Sequence, residues 1–158
     1  MKHTFSVLVE NKFGVLARVA GLFAARGFNI ESLAVSPTNE PALSQMTIVV
    51  DAADERVLEQ IKKQLNKLVD TIKVQDLTGE DFIDRELVLV KVAADSHSRP
   101  QILEVAQTLE AKIDEAAAGA ITLEVVGDQN KIHTLLELLK SFEVKEIVRT
   151  GRIAMNRK

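Results

Sequence analysis

Asn11 and Gly14 stand just before a strongly apolar helical pattern in the stretch "VENKFGVLARVAGLFAARGFNIESL", residues 9–33, and Asn29 stands just after it. The first backbone N–H groups of a helix have no partner within it and carry the positive end of its dipole, so they favour an anion. A glycine at position 14 removes the side chain that would block approach to the N–H groups of Gly14, Val15 and Leu16. Asn11 offers a donor and an acceptor together, which suits a zwitterion bearing carboxylate and ammonium. Val15 and Leu16 supply an apolar wall beside it. The chemistry implied is recognition of an aliphatic amino acid by its backbone, with a test of its side chain. The same residues also suit a plain tight turn, with Asn11 as a turn or capping residue and Gly14 allowing the bend. Spacing alone does not separate the two readings.

Other chemistry has little support. His3, His97 and His133 are scattered, with no HxxH or His-to-carboxylate spacing on one helix, so no metal site is expected. "DSHSRP" gathers Asp95, Ser96, His97 and Ser98, but the members of a catalytic triad converge from separated parts of a fold rather than from one loop. No catalytic residues are assigned. The chain has no cysteine, which excludes disulfides, thiolate nucleophiles and Cys-type zinc sites. No Walker A or G-x-G-x-x-G run appears, so a nucleotide site has no support.

The elements that must position the amides follow from periodicity. "TFSVLVE" reads as a strand with Phe5, Val7 and Val9 on one face and Leu8 on the other. A helix follows with Leu16, Val19, Leu22 and Phe23 as its buried stripe, and Gly27 stops it. "NIESLAVSPT" and "LSQMTIVV" read as a hairpin joined by "TNEPA". Asp51 or Asp54 caps a second helix with Val57, Leu58, Ile61, Leu65 and Leu68 on one face, and "TIKVQDL" closes the set. The charged, aperiodic "TGEDFIDR", residues 78–85, reads as a linker. Beyond it the order β-α-β-β-α-β recurs, ending with "EIVRTGRIAM" as the last strand. The fold class expected is therefore α+β, two ferredoxin-like domains in tandem over residues 1–77 and 86–158; a single eight-stranded α/β sheet is the alternative.

The first helix is apolar nearly all round, with Ala17, Ala20, Gly21, Ala24 and Ala25 beside its stripe. Small residues at this spacing permit close approach of a second helix and suggest a subunit interface; an alanine-rich helix chosen for propensity is the other reading. In a βαββαβ unit the start of the second strand lies at the far end of the first helix from Gly14. Asn29, itself also suited to a turn, would reach the Asn11 loop only from a two-fold partner packed along that helix. The second half lacks this equipment: its loop, "AADSHSRPQ", has Pro100 in place of the glycine, and "EAKID" has no Asn.

Lys and Arg total 20 against 23 for Asp and Glu, too balanced for a nucleic-acid footprint or an anionic membrane surface. RNA recognition modules share the β-α-β-β-α-β order but read bases with strand aromatics, and "LSQMTIVV" has none. The N-terminus lacks a secretory pattern, and no apolar run approaches the ~20 residues of a membrane span, so a cytoplasmic location is expected, with the mature form of an imported protein as the alternative.

"SVLVENKFGVLARVAGLFAARGFNIESLAVSPT", with "SQMTIVV", "LEQIKKQLNKLVD", "RELVLVKV" and "KEIVRTGRIAM", resembles the small regulatory subunits of acetolactate synthase over nearly the whole chain. The resemblance implies an N-terminal ACT domain, a C-terminal ferredoxin-like domain and a homodimer through the ACT domains. It implies valine as effector at the ACT–ACT interface, on Asn11, Gly14 and Asn29 with Val15, Leu16 and Ile30 beside them. It also implies no catalysis in this chain and no cofactor of its own. Thiamine diphosphate, Mg²⁺ and FAD would belong to a separate catalytic subunit, which the chain would activate and subject to feedback inhibition. A stand-alone amino-acid-sensing ACT protein is the alternative.

Overall fold

The structure, a computed structural model, describes residues 2–52 and 54–158. The chain forms two compact units, one running to Ile83 and taking back Arg152–Lys158, the other Asp84–Gly151.

The first unit is built from β1 (Lys2–Glu10), α1 (Val15–Ala24), β2 (Ile30–Pro37), β3 (Leu43–Asp51), α2 (Glu55–Lys67) and β4 (Thr71–Asp76). The sheet order is β2-β3-β1-β4, with every neighbouring pair antiparallel. Strand side chains alternate between faces, so Phe5, Val7 and Val9 point one way and Thr4, Ser6 and Leu8 the other. The first set is fully buried under the two helices with Met46, Ile48 and Val50. From α2 come Leu58, Ile61 and Leu65, with Val57 and Leu68 packed at the margin, which is the face its spacing predicts. Its cap is Asp54, whose carboxylate accepts the Arg56 N–H at 2.9 Å. On α1 the stripe is Val15, Val19, Leu22 and Phe23. Leu16, expected in that stripe, is 45% exposed. The residues 15, 19, 22 and 23 follow the i, i+4, i+7, i+8 rule, and Leu16 is turned about 100° away from them.

The second unit repeats the arrangement with β5 (Phe82–Ala93), α3 (Ser98–Thr108), β6 (Lys112–Ala116), β7 (Ala120–Gly127), α4 (Gln129–Leu139) and β8 (Val144–Arg149) in the order β6-β7-β5-β8. Val88, Val90 and Val92 of β5 and Ile121, Leu123 and Val125 of β7 meet Ile102, Ala106, Ile132, Leu135 and Leu139 of the helices. Both sheets are therefore ferredoxin-like βαββαβ layers, each with its own core.

Two boundaries differ from the periodic reading. The charged stretch 78–85 is not all linker, because β5 starts at Phe82. "EIVRTGRIAM" is not one strand: it breaks at Gly151, whose φ of 77° is left-handed, into β8 and β9 (Ile153–Asn156). The residues after the break, read from sequence as the end of a domain spanning 86–158, cluster with the first unit. There they cross the helix-free face of its sheet. Arg152 donates its N–H to Ser32 Oγ and Nη1 to Thr4 Oγ1, both at 3.0 Å, and Ala154 donates its N–H to Thr47 Oγ1 at 3.2 Å. Arg157 closes the segment on Asp81, Nε to Oδ1, at 2.9 Å.

Phe23, fully buried between α1 and the sheet, anchors the first core. Phe23→Ala is expected to destabilise that unit by about 3–5 kcal/mol, read by chemical denaturation, because a large cavity cannot fully collapse.

Candidate ligand-binding site

The loop between β1 and α1 is held from both sides. Its first residue, Asn11, donates its backbone N–H to Ala42 O at 2.7 Å and its side-chain Nδ2 to Pro41 O at 2.8 Å. A carbonyl only accepts, so the amide nitrogen must face Pro41 and the orientation of the side chain is set. Asn11 thus does act as a turn residue, tying the loop to the β2–β3 hairpin. Its Oδ1 meets no donor among the described residues and remains an acceptor. Lys12 turns back on Glu10, Nζ to Oε2 at 2.7 Å, a hydrogen bond that raises its pKa. Phe13 projects outward, 99% exposed.

Gly14 is the N-cap of α1, with φ 80° and ψ −14°. L side chains strain in that region, so the glycine answers a backbone demand. No side chain caps α1, and its first turn holds no acid. Its entry is fixed instead by Arg18, whose Nε and Nη2 both hold Asp70 Oδ2 at 2.8 Å. Asp70 is almost buried and sits 52 residues away in the chain. A Cβ on Gly14 would lie 2.9 Å from Arg18 Nη1, so the guanidinium flanks the loop backbone. The Val15 N–H is taken, weakly, by Lys12 O at 3.4 Å, so what the loop offers is the rest of the helix entry, a nearby cation and one amide oxygen, which suits a carboxylate and an ammonium together.

The corresponding position of the second unit is filled from within. Asp95 accepts the N–H groups of Ser98 at 2.7 Å and His97 at 2.9 Å, and Ser98 Oγ at 3.0 Å. These bonds, the Ser98 N–H foremost, hold its carboxyl below the usual carboxylate range. The "DSHS" cluster is thus a helix cap. A carboxylate of the chain's own occupies the place that α1 leaves open.

The sequence-predicted residues do not all converge. Asn11, Gly14 and Leu16 share one end of α1, while the Val15 side chain points into the core and is no ligand wall. Asn29, exposed, and Ile30, half-buried, lie elsewhere. Glu10 pairs with Leu43 and Ile30 with Val50, positions seven residues apart on β3, or about 24 Å. One chain cannot bring the two asparagines together. The face of α1 between them carries Ala17, Gly21 and Ala24, all exposed, and a Cβ on Gly21 would meet nothing within 4 Å. Arg18 and Asp70 escaped the sequence reading. Arg18 falls one turn after Gly14 on the same helix face, which is a legible signal, but nothing local announces Asp70. Among the described residues no group of three or more His, Cys, Asp or Glu side chains can hold a metal ion. Among the described residues no helix is long and apolar enough to cross a membrane.

A small α+β protein with an N-terminal unit of the ACT class is what this fold defines. Comparison with known proteins agrees. Residues 5–73 match the family model described as the AHAS small subunit-like ACT domain, and residues 85–158 match the small subunit of acetolactate synthase. The chain is 50% identical over 157 residues to the "probable acetolactate synthase small subunit" of Archaeoglobus fulgidus, covering 99% of this chain and 98% of that one. It is 45% identical over 157 residues to the acetolactate synthase small subunit of Aquifex aeolicus, covering 99% of this chain and 81% of that relative. The crystal structure of the acetolactate synthase small subunit from Thermotoga maritima superposes with a TM-score of 0.87 at 38% identity, over 100% of this chain and 98% of that one. The chain belongs to the acetolactate synthase small subunit family.

Gly14→Ala is expected to cost about 1 kcal/mol of stability through backbone strain alone, since the nearest obstacle is the mobile end of Arg18. Thermal denaturation reads this. Asp95→Ala is expected to lower the melting temperature of the second unit at neutral pH. The folded-state pKa of Asp95 is depressed, so its contribution is present above the ordinary carboxylate range and fades as pH falls through the folded value. Wild type and variant should therefore converge in acid, and a gap that persists there would mean the capping bonds do not depend on the charge.

Proposed function

We propose that the chain is the non-catalytic regulatory subunit of acetolactate synthase: it activates a separate catalytic subunit and imposes feedback inhibition by valine in the cytoplasm. One observation carries the ligand reading. Helix α1 starts from a left-handed glycine with no capping side chain and no acid, while its counterpart α3 is closed by Asp95. Valine would place its carboxylate at the α1 entry and its ammonium at Asn11 Oδ1. Leu16 would meet its side chain.

The second half of the site, Asn29 and Ile30, would come from a second copy of the chain. A mid-helix glycine costs about 1 kcal/mol against alanine. Gly21 has no neighbour within its own chain that requires it, and its exposed apolar surroundings suit a two-fold contact along α1. The first unit is thus the effector-binding, dimerising part and the second a contact module. Thiamine diphosphate, Mg²⁺ and FAD would reside in the catalytic partner. Valine acts only through its differential affinity for two arrangements of the dimer.

Calorimetric titration of valine into the full chain tests the site. Saturable, near-equimolar binding is expected, weakened roughly tenfold in Asn11→Ala by loss of a hydrogen bond to a charged group. Activity of the reconstituted catalytic subunit should rise with the chain and fall again with valine. Absence of valine binding both alone and with the catalytic subunit would overturn the reading. Failure to co-purify with a thiamine-dependent enzyme would instead favour a stand-alone sensor.

A further inference from the structure

The segment after Gly151 is bound in an unusual way. Its strand β9 pairs with β5, and the segment is also tied to three adjacent strands of the first sheet through side-chain hydroxyls: Thr4 of β1, Ser32 of β2 and Thr47 of β3. Thr4 and Thr47 are each 3% exposed on the helix-free face, and their buried oxygens are satisfied by these donors. The ties differ in what they hold. β1 and β3 pair with each other over the whole of their length, from Lys2↔Asp51 to Glu10↔Leu43, and do not shift alone. β2 is an edge strand, and its register against β3 is irregular between Ile30 and Ser32. An irregularity of this kind locally disrupts the ladder and leaves the extra residue unpaired. The start of β2 is thus an irregular edge, held by the Ile30–Val50 pair and the Lys2–Glu31 salt bridge at 2.8 Å, and Ser32, just past the irregularity, holds the Arg152 N–H at 3.0 Å.

We propose that Arg152–Asn156 is the output strap of the sensor, and that Ser32 is the residue that couples it to the ligand. The proposal rests on the reading of Asn29 and Ile30 as effector positions. A ligand that grips them draws on the short stretch ending at Ser32, and the hydroxyl passes the displacement to the Arg152 backbone. Gly151, at φ 77°, immediately precedes Arg152 and absorbs or relays the change at the point where the chain leaves the second unit. Thr4 and Thr47 hold the strap against the rigid strand pair, so that movement at Ser32 is a movement relative to a fixed frame. Coupling then has a covalent route and a bistable contact, the Ser32–Arg152 bond made or broken.

Full-length Ser32→Ala and Thr47→Val, each reconstituted with the catalytic subunit, separate transmission from mere support. Ser32→Ala should bind valine within about twofold of wild type by calorimetry, yet need about tenfold more valine for half-inhibition, the scale of a typical coupling energy. Thr47→Val removes a tie but leaves the β2 connection, and should change neither. Inhibition that tracks affinity in Ser32→Ala, or two variants that behave alike, overturns the proposal and leaves the valine site standing. A wild-type chain that binds no valine removes both. Amide hydrogen exchange gives a readout free of variant folding: valine must change protection across Arg152–Asn156 in the wild type, and unchanged protection there overturns the strap.

Discussion

The antiparallel register of β1 against β3 is the constraint on which the first unit depends. With Phe5 opposite Ile48 and Val7 opposite Met46, the apolar set of both strands faces the helices. A slip of one residue would turn every one of those side chains to the other face. The same register brings Glu10 opposite Leu43, so that Asn11 arrives beside the hairpin turn and bonds both Ala42 and Pro41. It also sets Thr4 opposite Val49 and aligns the hydroxyls that receive the C-terminal segment. The core, the β1–α1 loop and the seat of the C-terminal segment are thus consequences of one ladder.

Two units of one topology differ at a single feature of consequence, the entry to their first helix. In both, the loop after the first strand delivers a helix N-terminus whose N–H groups need an acceptor. The second unit answers with Asp95, which spends its charge on the N–H groups of His97 and Ser98. The first answers with backbone geometry alone. Gly14 turns the chain, and the Arg18–Asp70 pair steadies it from the side. Asp70 is nearly buried, and a half-exposed arginine that partners it is kept in place by geometry more than by net ion-pair energy. One helix entry is closed by a carboxylate of the chain's own, and the other has no side-chain cap.

The chain also shows how domain boundaries depart from chain order. The last residues leave the second unit and complete the first. Deletion of residues 86–158 as a domain would also remove Arg152–Lys158, which cluster with the first unit, and with them the donors to the Thr4 and Thr47 hydroxyls.

Much of this was legible in the residues themselves. The period-two run at 5–9, the helical stripe through Val19, Leu22 and Phe23, the recurrence of β-α-β-β-α-β and the polar pair Asn11 and Gly14 are all local patterns. Local patterns are set by the fixed periods of helix and strand and by the conformational freedom of glycine. The rest required the folded chain. That Val15 rather than Leu16 enters the core, that Asp70 reaches Arg18, that Pro41 orients Asn11, and that Arg152 lies on Ser32 are outcomes of strand pairing across many residues. Such pairings follow from the packing of whole faces against one another. No stretch of the sequence carries that information by itself, because each face acquires its partner only when the sheet closes.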